Sequence, residues 1–189
     1  MSILILIVII VVLVIAYVVI YNGLVSARMH TKDSWSQIDV QLKRRNDLIP
    51  NLIETVKGYA KYEQGTLEKV IGLRNQLMEI PANDQEATME VSNQLSSALK
   101  SVFALSEAYP DLKANQQYTN LMEELTNTEN KIAYSRQLFN STTSNYNAKI
   151  QMFPTSIVAK MGHFEPSAFL EVPSEEKVAP KVSFNDQGI

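Results

Sequence analysis

The 189-residue sequence contains no cysteine, one tryptophan and two histidines. The lack of cysteine excludes disulfide bonds, thiolate metal sites and a cysteine nucleophile. His30 and His163 lie in separate regions without the spacing of metal ligands, so no metal site or other cofactor is predicted. The sequence also has no G-x-S-x-G motif, no H-E-x-x-H motif and no phosphate-binding loop, so it carries no signature of these enzyme classes.

Charged residues are absent from the amino-terminal part of the chain, where the first is Arg28. Residues 3–20 are an unbroken run rich in Ile, Val and Leu. At about 1.5 Å per residue, a helix of this length spans roughly 27 Å, close to the ~30 Å hydrocarbon core of a bilayer. Tyr17 and Tyr21 stand at its far end, where amphipathic rings favour the headgroup layer. We therefore predict a permanent transmembrane anchor over residues 1–22.

Two other structures are possible for this run. A cleavable signal peptide would use the small residues 25–27 as its cleavage site. However, the sequence has no basic n-region, and an apolar h-region usually covers only about 7–15 residues. A buried β-strand would also be rich in Ile and Val, but strands rarely exceed about ten residues.

Basic residues follow the anchor and bear on its orientation. Residues 28–45 contain five cations and two carboxylates, a net charge of +3, so the remainder of the chain carries −6. Because Lys and Arg near a membrane span prefer the cytoplasmic side, we predict that the amino terminus lies outside and that the large domain is cytoplasmic. An extracytoplasmic domain is the alternative. The acidic body argues against nucleic acid as a partner.

Apolar residues beyond Gly23 follow a 3-4 spacing, which places them on one stripe of a helix. The stripe consists of Trp35, Ile38, Leu42, Ile49, Leu52, Val56 and Tyr59, and it continues as Leu67, Val70, Leu77 and Ile80. Arg45 occupies the one step without an apolar residue. Pro50 falls inside the run, and proline costs about 3 kcal/mol in a helix interior. We therefore expect a kink, or a stop and restart near Asn46 and Asp47.

Two further helices complete the predicted domain. One has its apolar residues in the same spacing between Val91 and Leu105, ahead of Pro110. The other runs over residues 112–153 without Gly or Pro and would be roughly 60 Å long. Its predicted seam is Tyr118, Leu121, Leu125, Thr128, Ile132, Ser135, Phe139, Thr142, Tyr146, Ile150 and Phe153. The predicted fold class is all-α: a transmembrane helix that continues into an elongated antiparallel bundle of three to four long helices.

The carboxyl-terminal part changes in character after Gly162, with scattered prolines and single aromatic residues in a polar sequence. We predict an extended strap that packs its rings on the bundle up to about Phe169, and a mobile end from residue 174 onward. The predicted division is an anchor at 1–22, a helical bundle domain at 23–162 and an extended or partly disordered tail at 163–189.

Several motifs resemble the LemA family. They are YNGLV at 21–25, WSQIDVQLKRR at 35–45, DLIPNL at 47–52, ETVKGYA at 54–60, Glu63, FP at 153–154 and PKVSF at 180–184. The resemblance implies a bacterial membrane protein with one amino-terminal span and a helical bundle. It implies no catalytic residues.

Arg45 is the most unusual candidate because it lies on the apolar stripe, next to Arg44. One interpretation is a polar layer that fixes helix register or binds a partner, with hydroxyls offered by Thr128, Ser135 and Thr142. The interpretation that we favour from the sequence is a solvated basic patch, because long cationic side chains readily reach water.

The other partner or register candidates are Trp35, Asp39, Gly58, Gly65 and Gly72. A tryptophan on a seam is more often core than interface. The three glycines recur every seven residues, which suggests a groove where another helix approaches, either within the bundle or from a second chain.

The function that we predict is a membrane-anchored scaffold or adaptor without catalysis. Its expected partners are the lipid bilayer and either copies of itself or another membrane protein, and no small-molecule substrate is identified. One alternative is an enzyme of unrecognised type with a polar site around Arg45, Asp47 and Glu54. The other is a lipid-binding rod that remodels membranes through residues 28–45.

Overall fold

The structure, a computed structural model, describes residues 1–59 and 63–171. Its helices are α1 (Ser2–Lys57), α2 (Gln64–Glu79), α3 (Gln85–Ala108), α4 (Pro110–Lys113), α5 (Gln116–Gln151) and α6 (Thr155–Met161). The described residues include no β-strand, which confirms the all-α class and rules out the strand alternative for residues 3–20. Of the predicted tail, residues 172–189, with Phe184 and the expected mobile end, lie outside the described residues.

The first third of α1 is apolar and exposed along its whole length. An 18-residue window in this part has a mean hydropathy of 3.8, and none of it is buried. It is long and apolar enough to cross a membrane, which is compatible with a membrane location. The first buried residue is Leu24, and α1 passes residues 22–23 without a break. One helix therefore carries both the apolar segment and the core side chains of the bundle.

Pro50 lies within α1 on its exposed side, and the backbone is helical before and after it. The predicted stop and restart near Asn46 and Asp47 is therefore wrong. Proline has no N–H to donate to the carbonyl of Asn46, four residues earlier. The Nε of Arg74 on α2 donates a hydrogen bond to that oxygen at 3.0 Å. The helix continues because a neighbouring helix satisfies the carbonyl that Pro50 leaves free.

Helices α1 and α5 form the long antiparallel pair of the domain. The hydroxyls of Ser34 and Thr142 lie 3.2 Å apart, and Arg45 contacts Glu129, so residue numbers fall on α5 as they rise on α1. The 36 residues of α5 give it a length of about 54 Å. Helices α2 and α3 pack together beside the distal half of this pair, so the domain is elongated.

The core consists of three clusters arranged along the axis of α1. The distal cluster joins α1 to α5 through residues such as Leu52, Val70, Leu99 and Leu125. The middle cluster contains Ile38, Leu42, Met89, Ile132, Phe139 and Leu170. The proximal cluster, next to the apolar segment, contains Leu24, Ala27, Tyr146, Ile150, Val158, Ala159 and Phe164.

The long carboxyl-terminal helix starts later than predicted. Pro110 begins the short helix α4, and α5 starts only after Asn115. The side chain of Asn115 accepts a hydrogen bond of 3.1 Å from the backbone N–H of Tyr118, which is the geometry of a helix N-cap. The sequence prediction did not identify Asn115 as this cap, because no Gly or Pro interrupts residues 112–153.

The predicted seam of α5 is correct at most positions, including Tyr146 and Ile150 near its end. Thr128 and Ser135 are buried as expected, but Thr143 is buried in place of Thr142, which is only half-buried. This exchange is local, because the later predicted positions within α5 are buried as expected. At the far end, the predicted seam residue Phe153 is 83% exposed.

Residues 163–171 run back along α5 as the predicted strap. The side-chain amides of Asn147 and Asn140 hold it, each making one bond as donor and one as acceptor, with the backbones of Ser167 and Leu170 respectively, all at 2.9 Å. Phe164 and Leu170 are buried, whereas the ring of Phe169 is 54% exposed. The strap therefore packs through Phe164 and Leu170.

Candidate functional site

Arg45 has no exposed surface, although sequence reasoning favoured a solvated basic patch. That interpretation is wrong because Arg45, on the inward face between Leu42 and Ile49, finds polar partners inside the bundle and does not reach water. Its side chain extends across the bundle and makes its polar contacts with α3 and α5. The polar-layer interpretation fits this position.

The guanidinium group of Arg45 contacts three side chains. Its Nη1 donates to Ser96 Oγ and Glu129 Oε1, both at 2.9 Å, and its Nη2 donates to Ser92 Oγ at 2.9 Å. Ser96 Oγ also lies 2.8 Å from Glu129 Oε2. The layer therefore joins α1, α3 and α5 at one level of the bundle.

The charge of Arg45 is paired with a carboxylate that is partly open to solvent. The side chain of Glu129 retains 25% exposure, whereas that of Arg45 retains none. A buried arginine needs such a partner, because removing an unpaired charge from water costs on the order of several kcal/mol. A shift of α1, α3 or α5 along its axis would separate the charge from its partners, so a role of this layer in fixing helix register stays a prediction.

Two of the hydroxyls that were expected to contact Arg45 make hydrogen bonds to other groups. Thr128 donates to the carbonyl of Glu124 in its own helix, and Thr142 contacts Ser34. The actual partners on α3, Ser92 and Ser96, were missed. Their spacing of four residues on the apolar face of a predicted helix was the signal that could have found them.

Arg44 and Trp35 have ordinary structural surroundings. Arg44 pairs with Glu124 at 2.5 Å, and both side chains are about half exposed, at 41% and 50%. Trp35 is half-buried and packs edge-on against Phe139 with 5.9 Å between ring centroids. These contacts favour a core position for Trp35, as its place on the seam suggested.

Asp39 is exposed and lines a shallow groove between α1 and α2 with a volume of about 290 Å³. Asp47 and Arg74 line the same groove. Glu54 lies elsewhere, exposed, and pairs with Lys57 at 2.7 Å. Arg45, Asp47 and Glu54 therefore do not converge in one cleft as the enzyme alternative requires. Among the residues that the structure describes, no three His, Asp or Glu side chains group in a way that could hold a metal ion.

The three spaced glycines do not line a contact between described helices. A Cβ atom added at Gly58, Gly65 or Gly72 would meet nothing within 4 Å beyond its local backbone. The prediction of a groove within the bundle is therefore wrong for the described part of the chain. Contact with a second chain remains a prediction.

A groove of about 370 Å³ lies between α3 and α5, beside the arginine layer. Ser96 and Glu129 of that layer line it, together with Phe103 and Arg136. Arg136 donates from Nη2 to Asn93 Oδ1 at 2.8 Å across the groove. The rest of the lining mixes polar side chains with Ile132 and Ala133, so the groove is of mixed polarity and is open to solvent rather than a closed pocket.

A second pocket, of about 300 Å³, lies at the end of the bundle nearest the apolar segment and is lined by Arg28, Lys32 and His163. Tyr146 also lines it and donates a hydrogen bond of 2.8 Å to the carbonyl of Glu165. Burial raises the pKa of the Tyr146 hydroxyl, and the positive charge of Arg28 opposes this rise. The guanidinium carbon of Arg28 lies 4.9 Å from the centre of the Phe164 ring.

Comparison with known proteins places this arrangement in a family. The model of the LemA family matches residues 34–184. Protein LemA of Metamycoplasma hominis is 28% identical over 76% of this chain and 65% of its own length. Magnetosome protein MamQ of Magnetospirillum gryphiswaldense is 22% identical over 77% of this chain and 62% of its own length. Each alignment thus covers under two thirds of these relatives.

Proposed function

This chain belongs to the LemA family, and we propose that it is a membrane-anchored helical scaffold or adaptor that associates with copies of itself or with another membrane protein. Family membership and a helix able to span a membrane do not by themselves define what the protein does.

The continuity of α1 is the observation that carries the proposal. The exposed apolar residues at its start and the buried residues from Leu24 to Val56 belong to one 56-residue helix. A flexible linker would let the bundle move freely, whereas a continuous helix holds it at a fixed height above the lipid. Such a geometry suits a protein whose task is to present a surface at a defined distance from the membrane.

A role without catalysis is part of the proposal. The most unusual polar group, Arg45, is fully buried and bonded to Ser92, Ser96 and Glu129, so both of its terminal nitrogens are bonded to its own chain, and its buried Nε has no partner among the described residues. The carboxylates Asp47 and Glu54 that the enzyme alternative needs are exposed and lie away from this layer. This separation supports a structural role for the arginine.

Chemical crosslinking in native membranes, followed by mass measurement of the intact detergent-extracted complex, tests the scaffold. We expect a discrete species heavier than one chain. A control chain in which residues 3–20 are replaced by another apolar helix of equal length shows whether the bundle or the anchor holds the complex together. Recovery of single chains only, with no partner, would contradict the proposal.

A cytoplasmic bundle is the orientation that we propose, supported by the net charge of +3 over residues 28–45. The chain has no cysteine, so a single Ser144→Cys substitution creates a unique reporter on the exposed side of α5. We expect a membrane-impermeant maleimide to label it only after the cells are lysed. Labelling in intact cells would place the bundle outside.

A lipid-binding rod is the second candidate, because the cations Arg28 and Lys32 line a pocket on the side of the bundle nearest the anchor, where Glu165 is the one carboxylate among the described residues of the lining. Cations near the bilayer attract anionic headgroups. Reconstitution of the full chain in nanodiscs with and without anionic lipid tests this role by native mass spectrometry. Equal lipid retention in both would discard it.

A further inference from the structure

The turn between α5 and α6 exposes an unusual concentration of apolar side chains. Met152, Phe153, Ile157 and Met161 are 59%, 83%, 53% and 64% exposed. On the opposite face of α6, Val158 and Ala159 are buried in the proximal cluster. Helix α6 therefore has one apolar face towards the bundle and a second that faces away from it.

The register of the long antiparallel pair places this turn along the axis of α1. The Ser34–Thr142 hydrogen bond and the Trp35–Phe139 ring contact each fix a level shared by α1 and α5. Equal numbers of residues counted from these contacts bring Met152 level with residues 22–24 of α1. That level is two to four residues beyond Ile20, or roughly 3–6 Å at 1.5 Å per residue.

Contacts around the strap give the same placement independently. Tyr21, at the end of the apolar run, packs edge-on against Phe164 with 5.4 Å between ring centroids, and its ring also lies close to Gly162. Ile20, Tyr21 and Val25 border the proximal cluster that includes Val158. The turn and α6 therefore lie directly beside the point where α1 leaves the predicted hydrocarbon layer.

A bilayer is the occupant that this position favours. The headgroup region adds roughly 5–7 Å on each side of the hydrocarbon core, which is the depth at which the turn lies. Lys149 and Lys160 flank the apolar side chains, and an apolar face bordered by lysines is typical of interfacial helices. Helix α6 packs against α1 next to the end of the apolar run, so the same leaflet would meet both elements.

We propose that the turn of residues 152–154 and the outward face of α6 insert into the interfacial layer of the leaflet from which α1 emerges. The inference rests on the proposed membrane anchoring. It gives a single-pass protein two contacts with the bilayer, one through α1 and one through α6 and the turn before it. Two contacts restrict the tilt of the bundle, whereas a single helix would leave the tilt free.

Spin-label accessibility in the full chain tests the insertion. Phe153→Cys and Ile157→Cys are labelled in lipid nanodiscs, with Ser144→Cys on the exposed side of α5 as the control outside the lipid and Ile10→Cys as the control within the anchor. We expect the ratio of oxygen to nickel-chelate accessibility at positions 153 and 157 to be higher than at 144 and lower than at 10, because the interfacial layer lies between water and the hydrocarbon core. The Ile157→Cys variant retains Phe153, so the result does not depend on the loss of that ring.

Other outcomes overturn the inference in distinguishable ways. A water-like ratio at 153 and 157, with an apolar one at 10, would leave the anchor and reject the insertion. Low accessibility to both reagents at 153 would indicate cover by protein, including a second copy, and would also reject it. A water-like ratio at 10 would reject the anchoring itself.

Loss of the two exposed side chains provides a second measurement. We expect Phe153→Ser combined with Ile157→Ser to broaden the distribution of distances between a label at Glu107, at the far end of α3, and the lipid headgroups. Tyr134→Ser combined with Val40→Ser removes two equally exposed apolar side chains elsewhere on the bundle and serves as the control. An equal distribution in both pairs would contradict the second contact.

Discussion

The Nε of Arg74 on α2 donates a 3.0 Å hydrogen bond to the carbonyl oxygen of Asn46, the one helical acceptor that Pro50 deprives of its usual donor. A proline inside α1 is thus matched by an arginine on a different helix. This pairing explains how α1 remains helical from the apolar segment to Lys57, which the proposed function requires.

We expect Arg74→Leu to destabilise the domain by about 1–2 kcal/mol, because it leaves the Asn46 carbonyl without a donor. In a Pro50→Ala background the same substitution should cost less, since position 50 then supplies its own N–H. Thermal unfolding in detergent, followed by circular dichroism, compares the four chains. An equal cost in both backgrounds would show that Arg74 acts independently of the proline.

The adjacent residues Arg45 and Arg44 provide a matched pair for the buried layer. We expect Arg45→Met to cost about 3 kcal/mol, because it strands the Glu129 carboxylate and two hydroxyls inside the bundle. Arg44→Met should cost less than about 1 kcal/mol, since its ion pair is solvent-exposed. The shift in the unfolding midpoint measures both, and equal shifts would mean that the layer does not hold the helices in register.

We expect Arg45→Lys to recover little of that loss. A lysine ammonium cannot reproduce the planar fork that reaches Ser92, Ser96 and Glu129 from two nitrogens. The unfolding midpoint of this variant should lie closer to that of Arg45→Met than to that of the unaltered protein. A midpoint equal to that of the unaltered protein would show that charge alone is sufficient.

Gly162 and Gly72 are expected to respond in opposite directions to alanine. A Cβ at position 162 would lie 2.6 Å from the Phe164 ring, so Gly162→Ala should cost about 1–3 kcal/mol and loosen the strap. Position 72 has open space, and Gly72→Ala should stabilise α2 by about 0.5–1 kcal/mol. Limited proteolysis of residues 163–171 and the unfolding midpoint report the two effects. Increased stability of Gly162→Ala would contradict the close packing.

Tyr146 should make stability depend on pH in the alkaline range. Folding raises the pKa of its hydroxyl above the ordinary value of 10.0, so its contribution is complete below pH 10 and is lost as the pH rises through the raised pKa. Tyr146→Phe should cost about 1 kcal/mol at neutral pH through the lost bond to the Glu165 carbonyl. The difference in unfolding midpoint between the two proteins should therefore shrink above pH 10. A difference in unfolding midpoint that stays constant above pH 10 would show that ionisation of Tyr146 does not affect stability.

Periodicity predicted most of the architecture, because burial follows helical spacing directly. The spacing identified the inward position of Arg45 and the buried seam around Leu125, Ile132 and Phe139. It did not show whether a long side chain at such a position would reach water or find partners. That depends on which residues of α3 face α1, and no pattern within one helix contains this information.

Three further features depend on contacts between distant parts of the chain. Pro50 predicted a disruption because its compensation comes from Arg74, 24 residues away on another helix. Phe153 followed the seam by spacing, but α5 ends at Gln151 and the ring points outward. The spacing of Gly58, Gly65 and Gly72 predicted the close approach of another helix, and no described helix approaches them.

Retention of the full chain in alkaline-washed membranes tests the central claim most directly, namely that one continuous helix both enters the bilayer and builds the bundle. Native membranes are washed at alkaline pH, the protein that remains is extracted with detergent, and the mass of the mature chain is measured. We expect the 21.3 kDa chain, with residues 3–20 intact, to stay with the lipid. A mature chain that begins after Ala27 and appears in the soluble fraction would contradict the account.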